Sequence, residues 1–242
     1  MTYPVLPKSQ SLHNIPQRKL DESIQALTKA CKDCSEKSNL DGLCQKCSVS
    51  IIAFNRYYDA GIPIEYWSLS MDDFKGAPEL KKAYGFIVGN INAFYDKGTP
   101  ICFAGNHGCG KTYTAAALLR FVCQKNFSAT YTTFADVISS LIDSPFEEKY
   151  NSRKQLLMSD FLVLDELDPR HIGKGLAEDL FGRSLDGIFR TRLQNHLPTI
   201  VITNSPNVLE SFSGSIKESL GSLMSKMKTI VCRGEDYRKI GK

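Results

Sequence analysis

The chain has 242 residues, a mass of 27.0 kDa and a formal net charge of +4 at pH 7, with 42% hydrophobic and 23% charged residues. This length is enough for one full α/β domain and a small additional module, whereas two complete domains would be a tight fit. The composition excludes a disordered or fibrous protein, and the basic excess is too small for a protein that coats nucleic acid, although it permits contacts with nucleic acid.

The amino terminus lacks the uninterrupted apolar core of a signal peptide, and no segment is as long and apolar as a membrane span. We therefore expect a cytoplasmic protein without membrane partners. In a reducing compartment, the eight cysteines favour metal ligation or plain burial over disulfides.

The first predicted helix, residues 21–30, leads into two Cys-x-x-Cys pairs. The first pair is Cys31 and Cys34, and the second, nine residues later, is Cys44 and Cys47. Four thiolates at this spacing are typical of a structural zinc site, in which Zn²⁺ contributes folding energy to a segment too short for a core of its own. A redox pair or a chance cluster is the alternative. We predict a zinc-binding amino-terminal module over residues 1–60.

A connector with a leading helix, residues 61–98, joins this module to the main predicted domain, residues 99–242. In the main domain, short strands rich in apolar and β-branched residues alternate with helices. The predicted strands cover residues 101–104, 128–132, 161–164, 199–203 and 229–232, and the predicted helices cover 111–124, 134–142, 154–158 and 177–193. This alternation predicts an α/β fold with a mostly parallel sheet covered by helices on both faces.

A glycine-rich segment, Gly-Asn-His-Gly-Cys-Gly-Lys-Thr, joins the first strand of this domain to its first helix. Glycines let successive backbone N–H groups point at phosphates, and the N-terminus of the following helix adds partial positive charge. The lysine reaches the β- and γ-phosphates, and the threonine hydroxyl suits Mg²⁺. We predict a P-loop for ATP, with nucleotide contacts from Gly105, Asn106, His107, Gly108, Cys109, Gly110, Lys111, Thr112 and Tyr113.

Two acidic residues, Asp165 and Glu166, follow the predicted strand 161–164. Alone, this pattern is also typical of an ordinary exit from a strand. Together with the P-loop it predicts that Asp165 and Thr112 hold Mg²⁺ and that Glu166 polarises the attacking water as a general base. Asn204, at the end of the strand 199–203, is predicted to position this water, with a turn as its alternative role.

Taken together, these motifs resemble AAA+ ATPases, which are P-loop NTPases of the ASCE type. The family that the sequence most resembles is that of the bacterial and phage replicative-helicase loaders of the DnaC and DnaI type, with the IstB-like transposition-helper ATPases nearby. The resemblance covers roughly residues 66–240 and rests on the P-loop, the acid pair, residues 131–136, Arg192 six positions before Pro198, residues 199–204, and residues 236–238.

The resemblance implies an ATPase that hydrolyses ATP slowly. Its zinc module would support contact with a hexameric replicative helicase, and its ATPase domain would assemble as a homo-oligomer on single-stranded DNA. Basic residues that fall in the family's DNA-binding insertion would meet phosphates, with a solvated helix face as the equal alternative; they are Lys149, Arg153 and Lys154.

Lys226 stands nearest to the family's arginine finger. Lysine lacks the planar fork of arginine that stabilises a transferring phosphoryl group. The resemblance therefore leaves two possibilities: weak hydrolysis, or substitution by Arg190 or Arg192. Arg192 is included among the candidate catalytic residues, which are Lys111, Asp165, Glu166, Asn204 and Arg192.

Three other functions remain open. A transposition-helper ATPase shares the same core motifs. A small-molecule kinase is disfavoured by Glu166, because a kinase must exclude water from its phosphoryl transfer. A zinc adaptor that binds nucleotide without significant turnover remains open because of Lys226.

Overall fold

The computed structural model describes residues 15–31, 34, 44–142, 145–167, 176–205, 209, 212–233 and 236–237. Two short 3-10 helices, Ile64–Tyr66 and Met71–Asp73, lie in the connector. The longer elements in chain order are α1 (Gln17–Cys31), α2 (Gln45–Asp59), α3 (Pro78–Gly89), α4 (Ile91–Lys97), β1 (Ile101–Gly105), α5 (Lys111–Gln124), β2 (Ala129–Thr133), α6 (Phe134–Ile142), α7 (Phe146–Met158), β3 (Phe161–Asp165), α8 (Leu176–Gln194), β4 (Thr199–Thr203), α9 (Gly214–Met224) and β5 (Lys228–Cys232).

The five strands form one parallel sheet in the order β2-β3-β4-β1-β5. The carboxyl ends of parallel strands share one edge, and open α/β sheets bind their ligands at that edge. β4 lies between β1, which leads into the P-loop, and β3, which ends in Asp165. The predicted parallel α/β sheet is confirmed.

Alternate residues of the strands face two separate cores, because successive side chains of a strand point to opposite faces. Phe103, Val163 and Ile202 belong to a core that includes residues of α2, α3, α4 and α5. Their neighbours Leu162 and Val201 belong to the opposite core, with residues of α6, α7, α8 and α9. Helices therefore cover both faces of the sheet, as predicted.

Several helices differ from the sequence-based expectation. The predicted leading helix over residues 78–95 is divided into α3 and α4 at Asn90, whose φ of −129° and ψ of 29° are not helical. α7 begins at Phe146 rather than near residue 154. Its first part has few apolar residues, so the helical spacing of apolar residues is not visible in the sequence there. The residue pattern did not predict α2 or α9 as helices. Within the described residues, no helix combines the length and apolarity needed to cross a bilayer.

The first two helices, α1 and α2, pack together as a hairpin. α1 starts near Leu20 in the core with β1 and α5, and α2 returns to the same core at Tyr57. The backbone N–H of Tyr131 in β2 donates to the carbonyl of Ala60 at 2.7 Å. The boundary predicted at residue 60 thus crosses a continuously packed region.

Candidate functional site

The P-loop curls between β1 and α5 at the carboxyl edge of the sheet. Gly110 caps α5 with a φ of 96°, a left-handed conformation that a side chain would strain. A Cβ at this position would also lie 2.6 Å from the ring of Phe74. Only glycine fits here, and its backbone sets the direction in which α5 begins.

Lys111 is buried inside the loop, with 5% of its surface exposed. Its ammonium donates to the carbonyls of Gly105 at 2.8 Å and Asn106 at 2.7 Å. An ammonium held by loop carbonyls over a turn of backbone N–H groups provides the positive charge that a polyphosphate requires. The phosphate-binding role of Lys111 stays a prediction.

Asp165 joins the acidic strand to the P-loop. Its Oδ2 accepts from the hydroxyl of Thr112 at 2.8 Å and from the phenol of Tyr131 at 2.7 Å, and its Oδ1 accepts from the backbone N–H of Glu166 at 2.6 Å. Burial, followed by the charge of Asp165, raises the pKa of Tyr131, so the phenol stays a donor. A hydroxyl beside a carboxylate is the oxygen donor set that Mg²⁺ prefers, so these residues fit the predicted metal.

Glu166 has a left-handed backbone with a φ of 56°, and its side chain is exposed beside the buried Asp165. Non-glycine residues rarely adopt this conformation, and strain of this kind concentrates at functional sites. The next residue returns to the sheet, where the N–H of Leu167 donates to the carbonyl of Ile202 at 3.0 Å. Asn204 directly follows β4, at the same sheet edge. The general-base and water-positioning roles stay predictions.

The part of the connector that precedes α3 packs on the P-loop. The sequence did not indicate this contact. The N–H of Ala77 donates to the carbonyl of Cys109 at 2.9 Å, and the phenol of Tyr113 donates to the carbonyl of Ser70 at 2.6 Å. From the other end of the chain, the N–H of Tyr237 donates to the carbonyl of Gly108 at 3.2 Å. The loop is therefore held from outside the strand and helix that it connects.

Cys109 of the P-loop interacts with Cys232 at the end of β5, a contact that the sequence did not indicate. Both thiols are buried. A hydrogen bond from Cys232, supported by the nearby Lys111 ammonium, lowers the pKa of Cys109 to about 6 and raises that of Cys232. His107, by contrast, is exposed. His107 and Cys109 are both among the predicted nucleotide contacts, but only Cys109 belongs to the packed core.

The catalytic role predicted for Arg192 is wrong. Its guanidinium is fully buried and donates to the carbonyls of Leu156, Ser159 and Pro198 at 3.0, 2.9 and 2.8 Å, and to the hydroxyl of Thr199 at 2.9 Å. These partners lie before or at the start of β3 and β4, whereas the P-loop lies at the carboxyl ends of the strands. Burial lowers the pKa of Arg192 to about 9. Its side chain connects the segments that lead into β3 and β4.

The other candidates for an arginine finger lie elsewhere on the surface. Arg190 forms an ion pair with Asp186 at 3.1 Å and also donates to the hydroxyl of Ser219 at 2.9 Å. Lys226 is exposed just after α9. Arg238, part of the predicted carboxyl-terminal motif, lies outside the described residues.

The four clustered cysteines meet where α1 ends and α2 begins, with their sulfurs all within 4.8 Å of one another. The Sγ atoms of Cys34 and Cys47 are 3.8 Å apart, close to the roughly 3.8 Å that a tetrahedron with Zn–S bonds of about 2.3 Å requires. Cys44 caps α2, and the backbone N–H of Cys47 lowers the pKa of its thiol to about 7. The donor set fits a structural zinc ion, whose presence stays a prediction.

Comparisons with known proteins bear on the family and on the fold. The model of the family "IstB-like ATP binding protein" matches residues 87–206, which include the P-loop, the acid pair and Asn204. No curated protein matches the sequence.

Solved structures share the fold at low sequence identity. The structure of DnaI is 20% identical with a TM-score of 0.57, and the match covers 73% of this chain and 94% of DnaI. The DnaC helicase loader is 21% identical with a TM-score of 0.54, covering 71% and 100% of the two chains. The replication initiator DnaA bound to AMPPCP and single-stranded DNA is 18% identical with a TM-score of 0.58, covering 72% of this chain and 51% of DnaA.

The family match and the shared fold agree with the geometry of the site. The P-loop, the buried aspartate beside its threonine, and the strand inserted between β1 and β3 are the parts that an ATP-binding protein of this class needs. The chain accordingly contains an IstB-like ATP-binding domain at residues 87–206 and shares the fold of the DnaI and DnaC proteins.

Proposed function

We propose that this chain binds Mg-ATP at the carboxyl edge of its sheet and uses ATP binding and slow hydrolysis to load a hexameric replicative helicase onto single-stranded DNA. The observation that carries the nucleotide part is the hydrogen bond of 2.8 Å between Thr112 and Asp165, because it joins the P-loop to the acidic strand. The fold of the DnaI and DnaC proteins supports the loader part.

Each residue of the site has a distinct task in this proposal. The loop N–H groups and the Lys111 ammonium bind the phosphates, and Thr112 and Asp165 hold Mg²⁺. When bound, Mg²⁺ neutralises charge on the β- and γ-phosphates. Glu166 accepts a proton from the attacking water, and Asn204 orients that water. With Arg192 buried elsewhere, no arginine among these residues stabilises the transition state, which supports slow turnover.

The exposed face of α7 has the character of a single-stranded DNA surface. Phe146 and Tyr150 are 86% and 62% exposed, and Arg153 and Lys154 are also exposed. Spacings of four, seven and eight residues put all of them on one side of the helix. Exposed aromatic rings stack on bases of any sequence, while basic groups contact phosphates.

We expect the double substitution of Phe146 and Tyr150 by alanine to weaken binding of single-stranded DNA by about 10-fold or more, because each base-stacking contact contributes roughly 1–3 kcal/mol. Fluorescence anisotropy with labelled oligonucleotides, in ATP and at fixed salt, measures the effect. Phe86, which is 61% exposed on α3, supplies the matched control: Phe86→Ala should bind DNA as the unaltered chain does. Equal losses in both variants would contradict a DNA surface on α7.

The α1–α2 hairpin offers an apolar surface for the helicase. Val49 and Ile52, three residues apart on α2, are 59% and 53% exposed. We expect the hairpin variant, Val49→Ser with Ile52→Ser, to lose at least about 10-fold in helicase affinity, since burial of each apolar side chain contributes about 1.5–3 kcal/mol. Pull-down of the purified replicative helicase, with and without ATP, measures this loss, and Phe86→Ser serves as the control.

A transposition-helper ATPase is the second candidate, and the match to the IstB-like family favours it. The same pull-down distinguishes the two. Capture of a transposase and no capture of a replicative helicase would reject the loader function and leave ATP binding intact. Capture of neither would reject both functions.

A further inference from the structure

We propose that Tyr131 is a positioning residue that orients the Asp165 carboxylate for Mg²⁺ and thereby sets the magnesium dependence of nucleotide binding. The proposal rests on the proposed nucleotide function. The sequence does not single out Tyr131 for this role, because the residue lies in the middle of β2 and not next to either motif.

The hydrogen bonds of Asp165 define which of its oxygens remains available. A carboxylate offers about four acceptor positions. Thr112 and Tyr131 occupy both positions of Oδ2, at 2.8 and 2.7 Å, and the N–H of Glu166 occupies one position of Oδ1 at 2.6 Å. The remaining position lies on Oδ1. Tyr131 therefore fixes the rotation of the carboxylate and selects the oxygen that is open to the metal or its water.

Tyr131 is itself held rigidly. It pairs with Val163 in the β2–β3 ladder, and its N–H donates to the carbonyl of Ala60 at 2.7 Å. The side chain is 8% exposed and is part of the core that includes α5. A donor on such a fixed frame pre-organises its acceptor, and partners of this kind that lie behind metal ligands usually contribute 10- to 100-fold to metal affinity.

A matched control lies at the opposite edge of the sheet. The phenol of Tyr95 donates to Asp160 at 2.8 Å, and Asp160 directly precedes β3 whereas Asp165 ends it. The two tyrosine–aspartate pairs therefore share their chemistry but lie at opposite edges of the sheet. Only the pair at the carboxyl edge adjoins the P-loop.

The test is a magnesium titration of the full chain with a fluorescent ADP analogue. In Tyr131→Phe we expect the half-saturating Mg²⁺ concentration to rise by about 10-fold, as for other groups behind a metal ligand. Affinity for the analogue in EDTA should match that of the unaltered chain, because the P-loop is unchanged. Tyr95→Phe should leave both quantities unchanged.

Three outcomes would overturn the role of Tyr131: an unshifted titration, a shift equal to that of Tyr95→Phe, or loss of binding in EDTA through misfolding. A second measurement uses Asp165→Asn. If Tyr131 acts through Asp165, adding Tyr131→Phe to that variant changes the magnesium titration no further; a further shift of 10-fold would also overturn the proposal. Failure of the unaltered chain to bind the analogue at all would instead reject the proposed nucleotide function.

Discussion

Lys111→Ala is expected to lose at least about 100-fold in ATP affinity, equivalent to roughly 3 kcal/mol, because the change removes the buried positive partner of the phosphates. The ammonium already lies inside the loop, between the carbonyls of Gly105 and Asn106. Isothermal titration calorimetry with ATP and Mg²⁺ measures the loss. The fold should survive, since the hydrogen bonds of the ammonium all lie within the P-loop.

Lys125 supplies the control for this substitution. It follows the opposite end of α5 and is exposed. Lys125→Ala should therefore bind ATP with the affinity of the unaltered chain. If Lys111→Ala retains ATP affinity within a few-fold of the control, the phosphates do not bind in this loop and the assignment of the site fails.

Removal of zinc should open the far end of the α1–α2 hairpin. The cysteines connect the end of α1 to the start of α2, whereas Leu20 and Tyr57 anchor the other ends of these helices in the core. We expect amide exchange around residues 27–31 and 44–50 to accelerate about 10-fold or more after chelation, since local openings require less free energy than global unfolding. Exchange near Tyr57 should change little, and ATP affinity should stay within about twofold, because the two sites share no residue.

Cys34→Ser tests the same point without a chelator. Cys34 is exposed, so the substitution removes a ligand at little cost in packing. The variant should lose its bound zinc, as measured by atomic emission, whereas Ser48→Ala in α2 should retain one zinc per chain. A full complement of zinc in Cys34→Ser would contradict the four-cysteine site. An equal loss of ATP affinity and hairpin protection would instead show that zinc supports the ATPase core itself.

The P-loop and the acid pair at the carboxyl edge of the sheet could be predicted from sequence, because each motif consists of neighbouring residues. The P-loop spans eight consecutive residues, and Asp165 and Glu166 directly follow an apolar strand. The predicted strand 199–203 coincides with β4, and the predicted helix 111–124 coincides with α5. In such segments, the period of the apolar residues and the turn residues point to the same structure.

What the sequence could not show depends on contacts between distant segments. The Tyr131 phenol meets Asp165 across 34 positions, and the Arg192 guanidinium meets Leu156 across 36. An arginine near a strand reads equally well as a catalytic or as a structural residue, and only its burial decides. The packing around the predicted boundary at residue 60 is also a contact between distant segments, because Tyr57 of α2 lies in the same core as residues of α5. The boundary itself stays a prediction.

The central claim is that the P-loop and the acid pair together hold Mg-ATP. A crystal structure of the chain with Mg²⁺ and a non-hydrolysable ATP analogue tests it most directly. We predict the β- and γ-phosphates within hydrogen-bonding distance of the Lys111 ammonium, and a magnesium ion between the Thr112 hydroxyl and the Asp165 carboxylate. A nucleotide bound elsewhere on the chain, or a metal that contacts neither Thr112 nor the neighbourhood of Asp165, would contradict the claim.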